Sequence, residues 1–198
     1  MKKFLALILS VAMIFALVAC GSKEGDTPNT DGDTPSAKPV DIVIATGGTI
    51  ASRPTADGLQ PQLSAEDILR CVPSLAELCH VDALQLMNLD STNITPDCWL
   101  AIARCIREHY DNYDGFVLTH GTDTMAYTAS ALSFMLENLT KPVVLTGSQL
   151  PIGQLRTDGK ENMMTSLELA SACHEDGTPM VPEVCIYFNG KLIRGNRA

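Results

Sequence analysis

The chain has 198 residues, of which 45% are hydrophobic and 19% charged, enough apolar content for a globular domain and too much for a wholly disordered chain. Its 23 acidic side chains against 14 basic ones give a formal charge of −9, which argues against nucleic acid as a partner, because gripping phosphates takes a basic face. No collagen, heptad or solenoid period runs through it.

At the N-terminus, Lys2 and Lys3 precede an apolar run over residues 4–19 that only Ser10 interrupts. A membrane-spanning helix wants about 20 apolar residues. A basic start, a short apolar centre and small residues at the end describe a secretory signal peptide over residues 1–19. The run closes on Leu17-Val18-Ala19-Cys20-Gly21, which resembles the lipobox of bacterial lipoproteins. That resemblance implies that Cys20 is lipidated and becomes the mature N-terminus. The plainer alternative is an ordinary signal peptide, or a membrane anchor, with an incidental cysteine. Several acyl chains anchor stably where one is marginal, so the expectation is an exported protein on the outward face of the bacterial cell membrane. Residues 20–39 hold Gly, Pro, Ser, Thr and Asp without apolar pattern and read as a flexible tether.

From residue 40 the chain alternates strand and helix. Residues 40–45 (VDIVIA) form a short β-branched run that stops at Thr46-Gly47-Gly48, a buried strand followed by a tight turn. Residues 64–72 read as a helix with Ser64 as N-cap and acids in its first turn. Residues 81–89 are a second strand. A helix starts at Pro96 with Thr95 as N-cap, and Trp99, Ile102, Ala103 and Ile106 form its apolar face. A third strand is expected over residues 115–119. Met125, Ala129, Leu132 and Leu136 line the next helix. Residues 142–146 are a fourth strand, residues 147–159 a glycine-containing loop, residues 161–174 a helix and residues 182–188 a fifth strand. This alternation predicts an α/β fold, a parallel doubly wound sheet with helices on both faces. Such sheets bind ligands beyond the C-terminal ends of their strands.

Six cysteines follow Cys20, none in a CxxC pair and none at zinc-ligand spacing with a histidine, so no metal site is expected. Cys98 and Cys105 sit seven apart on one helix, about 10 Å at 1.5 Å per residue, beyond disulfide reach. Most of the six read as small buried hydrophobes. A pairing of Cys173 with Cys185 stays open outside the cytosol.

Three strand ends carry unusual loops. Thr46-Gly47-Gly48-Thr49-Ile50-Ala51 lets the backbone turn sharply and a ligand come close, but its spacing fits neither GxxxxGK[ST] nor GxGxxG, and a plain βα turn is the simpler reading. Thr119-His120-Gly121-Thr122-Asp123-Thr124 is dense in polar groups; Thr122 or Asp123 would cap the next helix well, and a lone His120 is more often structural than catalytic. Asn88-Leu89-Asp90-Ser91-Thr92-Asn93 could hold a small zwitterion or could simply be an Asx or Ser/Thr turn.

Together these loops resemble the asparaginase family, the amidohydrolases with a threonine nucleophile. TGGTIA (46–51) and HGTDTM (120–125) match near-verbatim. DSTNITPDCW (90–99), YDGFVLTHGTDTMAYTASALSFML (113–136), VVLTGSQLPI (143–152) and FNGKLIRGNRA (188–198) also look like the family, particularly its shorter, type I-like branch. The resemblance spans residues 40–198. It implies Thr49 as the nucleophile that attacks the side-chain amide of asparagine. It implies that Thr122 and Asp123 form a second polar group working with a lysine. Asp123 would also hold the substrate's α-ammonium and Ser91 its α-carboxylate, with Asp90, Thr92 and Ser148 lining the pocket more loosely. A threonine hydroxyl needs a base to become nucleophilic, and the tetrahedral intermediate needs preorganised donors, which backbone N–H groups of glycine loops can supply. No metal and no cofactor is implied. Glutamine is the second candidate substrate, since one methylene is worth only about 1–3 kcal/mol in a pocket.

The sequence departs from the family at two places. Leu59, within residues 56–61, stands where the family usually carries a tyrosine in the mobile loop after the nucleophile, and a leucine cannot shuttle a proton. The family's catalytic lysine follows a segment matched by Gly195-Asn196-Arg197-Ala198 and aligns two positions after Ala198; Lys160 and Lys191 are in the wrong context to replace it. The family's second, smaller C-terminal α/β domain has no counterpart either. The expectation is therefore an N-terminal domain fragment, inactive alone, whose full-length form is a homo-oligomeric asparaginase. The competing readings are a lipid-anchored amino-acid-binding protein without catalysis, and the related amidase subunit of transfer-RNA amidation, which the export signal disfavours.

Overall fold

The computed structural model describes residues 39–198. The signal segment, Cys20 and all but the last residue of the tether lie outside the described residues.

Strand β1 (Val40–Gly47) leads through a 3-10 turn (Thr49–Ala51) into a hairpin of β2 (Ser52–Thr55) and β3 (Gly58–Pro61). Two short helices follow, α1 (Ala65–Arg70) and α2 (Leu75–Leu78), and then β4 (His80–Leu89). A second 3-10 turn (Ser91–Asn93) precedes α3 (Pro96–His109) and β5 (Gly115–Thr119). The chain continues through α4 (Met125–Met135), β6 (Val143–Thr146), α5 (Gly159–Ser171) and β7 (Val184–Phe188), and closes with β8 (Lys191–Arg194) and a last 3-10 turn.

The main sheet runs β4-β1-β5-β6-β7-β8. Its first five members pair in parallel, and β8 folds back antiparallel on β7. Alternate residues of each strand enter opposite layers, as the pleat requires. Ile42, Ile44, Phe116, Leu118, Val143 and Leu145 pack with Ile102 and Ile106 of α3 and Ala129 and Leu132 of α4. Val43, Ala45, Val117 and Val144 pack with Ala65 and Ile68 of α1, Leu75 of α2, and Met163 and Leu167 of α5. Helices thus cover both faces, the doubly wound arrangement expected from the strand–helix alternation.

The caps follow local chemistry. The Ser64 side chain accepts from the Asp67 amide, and Asp67 reaches back to the Ser64 amide, a reciprocal capping box for α1. Pro96 opens α3 as expected, but the Thr95 side chain makes no capping bond to the helix backbone; its hydroxyl lies beside Cys98 Sγ instead. Neither Thr122 nor Asp123 caps α4: the N-cap is Thr124, whose hydroxyl donates to Ser91 O. Leu136 falls at the C-cap of α4, just past the helix.

The structure adds elements to the expected five strands and four helices. The stretch expected as a loop around Leu59 is the β2–β3 hairpin, with Pro54 opposite Leu59 and Thr55 opposite Gly58. Strand β8 and the single turn of α2 are also additional. All six cysteines among the described residues are free thiols, so the Cys173–Cys185 pairing is not made.

Candidate active site

The C-terminal ends of β1, β4, β5 and β6 bring four loops together, and glycines set how closely. Gly47 (φ 110°) and Gly48 (φ 79°) take the left-handed region that side chains rarely adopt. A Cβ on Gly47 would lie 2.3 Å from Leu89 O, and one on Gly48 would lie 2.4 Å from Gly121 N. A Cβ on Gly121 would meet Ser91 Oγ at 2.5 Å, and one on Gly147 would meet His120 O at 2.3 Å. Each contact joins one loop to the next with no room for a methyl group. Hydrogen bonds lock the same junctions: Gly48 N donates to Leu89 O at 2.9 Å, Thr46 Oγ1 to Thr119 O at 2.8 Å, and His120 N to Thr146 O at 2.8 Å.

Thr49 therefore stands immediately beside the Gly48–Gly121 junction, with Thr122 following on the other side. Thr49 and Thr122 are each half-buried. Among the described residues, no group hydrogen-bonds to either hydroxyl or to the backbone N–H of either residue. Ser91 is buried, and its hydroxyl donates to Asp123 Oδ2 at 2.9 Å, so the loops after β4 and β5 present a hydroxyl and a carboxylate side by side. Thr124 ties the same two loops through Ser91 O.

Other expected residues have local duties. Asp90 Oδ1 accepts from the Thr92 amide at 2.9 Å and the Thr92 hydroxyl at 2.7 Å, which is an Asx turn that shapes the 3-10 turn carrying Ser91. These two bonds, the backbone one foremost, hold the Asp90 carboxyl below the usual carboxylate range. Ser148 is buried and donates to Leu150 O within its own loop. Leu59 is exposed on the hairpin, whose base is fastened by Ser52 Oγ to Gly48 O and Asn88 Nδ2 to Pro61 O.

His120 is fully buried and belongs to a chain that sequence reading missed. Its Nδ1 lies 2.7 Å from Gly121 O, and its Nε2 lies 3.0 Å from Thr128 Oγ1. The same hydroxyl accepts from the indole N–H of Trp99 at 3.0 Å. Burial pushes the imidazole pKa down, against a smaller upward pull from the Gly121 carbonyl, so the ring is held neutral. The sequence signal for Thr128 was a polar residue on the otherwise apolar face of α4, alongside Met125, Ala129 and Leu132.

Residues 42–198 match the family model described as Asparaginase, N-terminal. The chain is 46% identical over 162 residues to L-asparaginase 1 of Escherichia coli, covering 78% of this chain and 45% of that protein. Among solved structures, the thermostable L-asparaginase from Thermococcus kodakarensis superposes with a TM-score of 0.66 at 43% identity, over 79% of this chain and 46% of that one. L-asparaginase I from Vibrio cholerae superposes with a TM-score of 0.69 at 40% identity, over 81% and 47%. The chain thus spans about half the length of these relatives. With the family's motifs at the converging strand ends and its N-terminal domain as the fold, the chain belongs to the asparaginase family.

Proposed function

We propose that the full-length protein hydrolyses L-asparagine to L-aspartate and ammonia through an acyl-enzyme on Thr49. The observation that carries this reading is the Gly48–Gly121 backbone contact, because it puts the residue after Gly48 beside the loop of Thr122 and Asp123. The Thr49 oxygen attacks the side-chain amide carbon and forms a C–O bond. The carbonyl oxygen becomes an oxyanion, for which the unpartnered N–H groups of Thr49 and Thr122 are candidate donors. The C–N bond then breaks, ammonia leaves with the proton taken from the hydroxyl, and water cleaves the ester to aspartate. Thr122, half-buried on the neighbouring loop, offers a second hydroxyl for moving that proton.

Ser91 and Asp123 suit the amino-acid end of the substrate. When substrate binds, the Ser91 hydroxyl can turn its one hydrogen from Asp123 to an α-carboxylate, which leaves the Asp123 carboxylate to pair with an α-ammonium. Asparagine and glutamine share that end, so the reading is tested by ammonia release from each, by the full-length protein and its Thr49→Ala variant. Release from asparagine that the substitution abolishes supports the reading. Saturable asparagine binding without release would favour an amino-acid-binding protein instead.

The sequence of residues 1–20 supports export and lipid anchoring at Cys20 on the outward face of the membrane. Metabolic labelling with a radioactive fatty acid, lost in Cys20→Ala, is the expected result. The family resemblance supports a homo-oligomer.

A further inference from the structure

The hydrogen-bond chain behind the Thr122 loop has only one consistent direction. The indole N–H of Trp99 can only donate, so Thr128 Oγ1 accepts from it. The Gly121 carbonyl can only accept, so His120 Nδ1 carries a hydrogen. A buried, neutral imidazole with Nδ1–H must accept at Nε2, and the single Thr128 O–H donates there. Every polar hydrogen in Trp99 → Thr128 → His120 → Gly121 is used once.

The terminal acceptor matters most. The Gly121 carbonyl and the Thr122 N–H belong to one planar trans peptide unit and point in opposite directions. Holding the carbonyl on the buried, histidine side turns the Thr122 N–H to the other side of that plane. No group among the described residues takes that N–H.

We propose that Thr128 is a positioning residue: acting through the His120 tautomer, it orients the Gly121–Thr122 peptide for the reaction at Thr49. The proposal rests on the asparaginase reading above for its effect on rate, and on hydrogen-bond geometry and the burial of the ring for the tautomer. Thr128 touches no reacting atom; its role is to keep a proton on Nδ1.

The test uses full-length protein labelled with 15N-histidine, compared with Thr128→Val and Thr128→Ser. Two-bond nitrogen–proton couplings should show His120 with hydrogen on Nδ1 in the wild type. Thr128→Val should lower kcat for ammonia release about tenfold with KM within about twofold, since misorienting a reacting group costs rate more than binding. Thr128→Ser, which keeps the hydroxyl, should recover most of the loss. Should Thr128→Val fail to fold, the pair His120→Asn and His120→Gln decides. The Asn amide can place an N–H near the Nδ1 position and the Gln amide near Nε2, so Asn should retain more kcat; equal loss would overturn the proposal. A folded Thr128→Val with wild-type kcat would also overturn it. Hydrogen on Nε2 in the wild type would overturn it whatever the activity. A wild type that shows Nδ1–H but releases no ammonia would sink the asparaginase reading and the proposed effect on rate, leaving only the hydrogen-bond chain.

Discussion

Gly48 and Gly121 touch backbone to backbone: a methyl group on Gly48 would lie 2.4 Å from Gly121 N and 2.5 Å from its Cα. The contact joins the loop of the proposed nucleophile to the loop of Thr122 and Asp123. It also ties fold to function, because whatever forces these loops apart separates Thr49 from its neighbours. Gly48→Ala adds overpacking against rigid backbone to a left-handed conformation at φ 79°. The expected cost is about 2–4 kcal/mol, read as a lower denaturant midpoint, together with loss of ammonia release. A variant with unchanged midpoint would mean that the two backbones can part to admit a methyl group.

Ser91→Ala should separate binding from chemistry. The hydroxyl donates to Asp123 Oδ2 at 2.9 Å, and the proposed function assigns it to the substrate's α-carboxylate. Its removal should raise KM for asparagine about tenfold, the worth of roughly 1.4 kcal/mol, with kcat changed far less. A fall in kcat at constant KM would instead place Ser91 with the reacting groups.

Two buried titrating groups predict opposite pH slopes of stability. His120 has a folded pKa below its ordinary value of 6.5. Its contribution is present above pH 6.5 and is lost as pH falls from there through the folded value, because the unfolded chain takes up a proton that the folded chain refuses. Asp41 is fully buried at the start of β1, and desolvation raises its carboxyl above 3.8, against hydrogen bonding from Ser171. Its contribution is present below pH 3.8 and is lost as pH rises through the raised value. Asp41→Asn should therefore gain on the wild type as pH rises from acid toward neutral, measured by urea denaturation at several pH values. A difference independent of pH would contradict this.

Lys141 is the test of the layer remote from the site. Its ammonium donates to Tyr110 O at 2.6 Å and Tyr113 O at 2.7 Å, just past the C-terminus of α3, and lies 5.1 Å from the Tyr110 ring centroid. A cation there satisfies the carbonyl of the C-cap residue Tyr110 and that of Tyr113 in the turn beyond, and meets the negative end of the helix dipole. Lys141→Met keeps most of the stem and should cost about 2 kcal/mol, well beyond an ordinary surface change. Ammonia release at temperatures where the protein stays folded should not change.

The central strands were legible because burial on both faces demands continuous apolar residues, as in Ile42, Val43 and Ile44 of β1 and Phe116, Val117 and Leu118 of β5. The short edge elements were not, since β2, β3 and β8 are largely exposed and carry little apolar pattern. One signal for β8 was overlooked. Asn189-Gly190, at φ 49° and 70°, forms the two-residue turn between Phe188 and Lys191 that such a pair favours. The converging loops were legible where glycine and polar residues crowd a strand end, as at Gly48–Thr49, Ser91 and Gly121–Asp123. The capping alternative for Thr122 and Asp123 fell because α4 begins only at Met125, with Thr124 as its N-cap. The partnership of Thr128 was not legible, because Trp99 and His120 meet it only across α3, α4 and the loop after β5.

The proposed hydrolysis depends most on Thr49 carrying the acyl group. The most direct measurement is rapid quenching of the full-length protein with asparagine, followed by mass spectrometry of the peptide containing Thr49. An aspartyl ester on Thr49, formed together with a stoichiometric burst of ammonia and absent in Thr49→Ala, is the predicted result. Ammonia release that persists in Thr49→Ala, with no ester on that peptide, would contradict it.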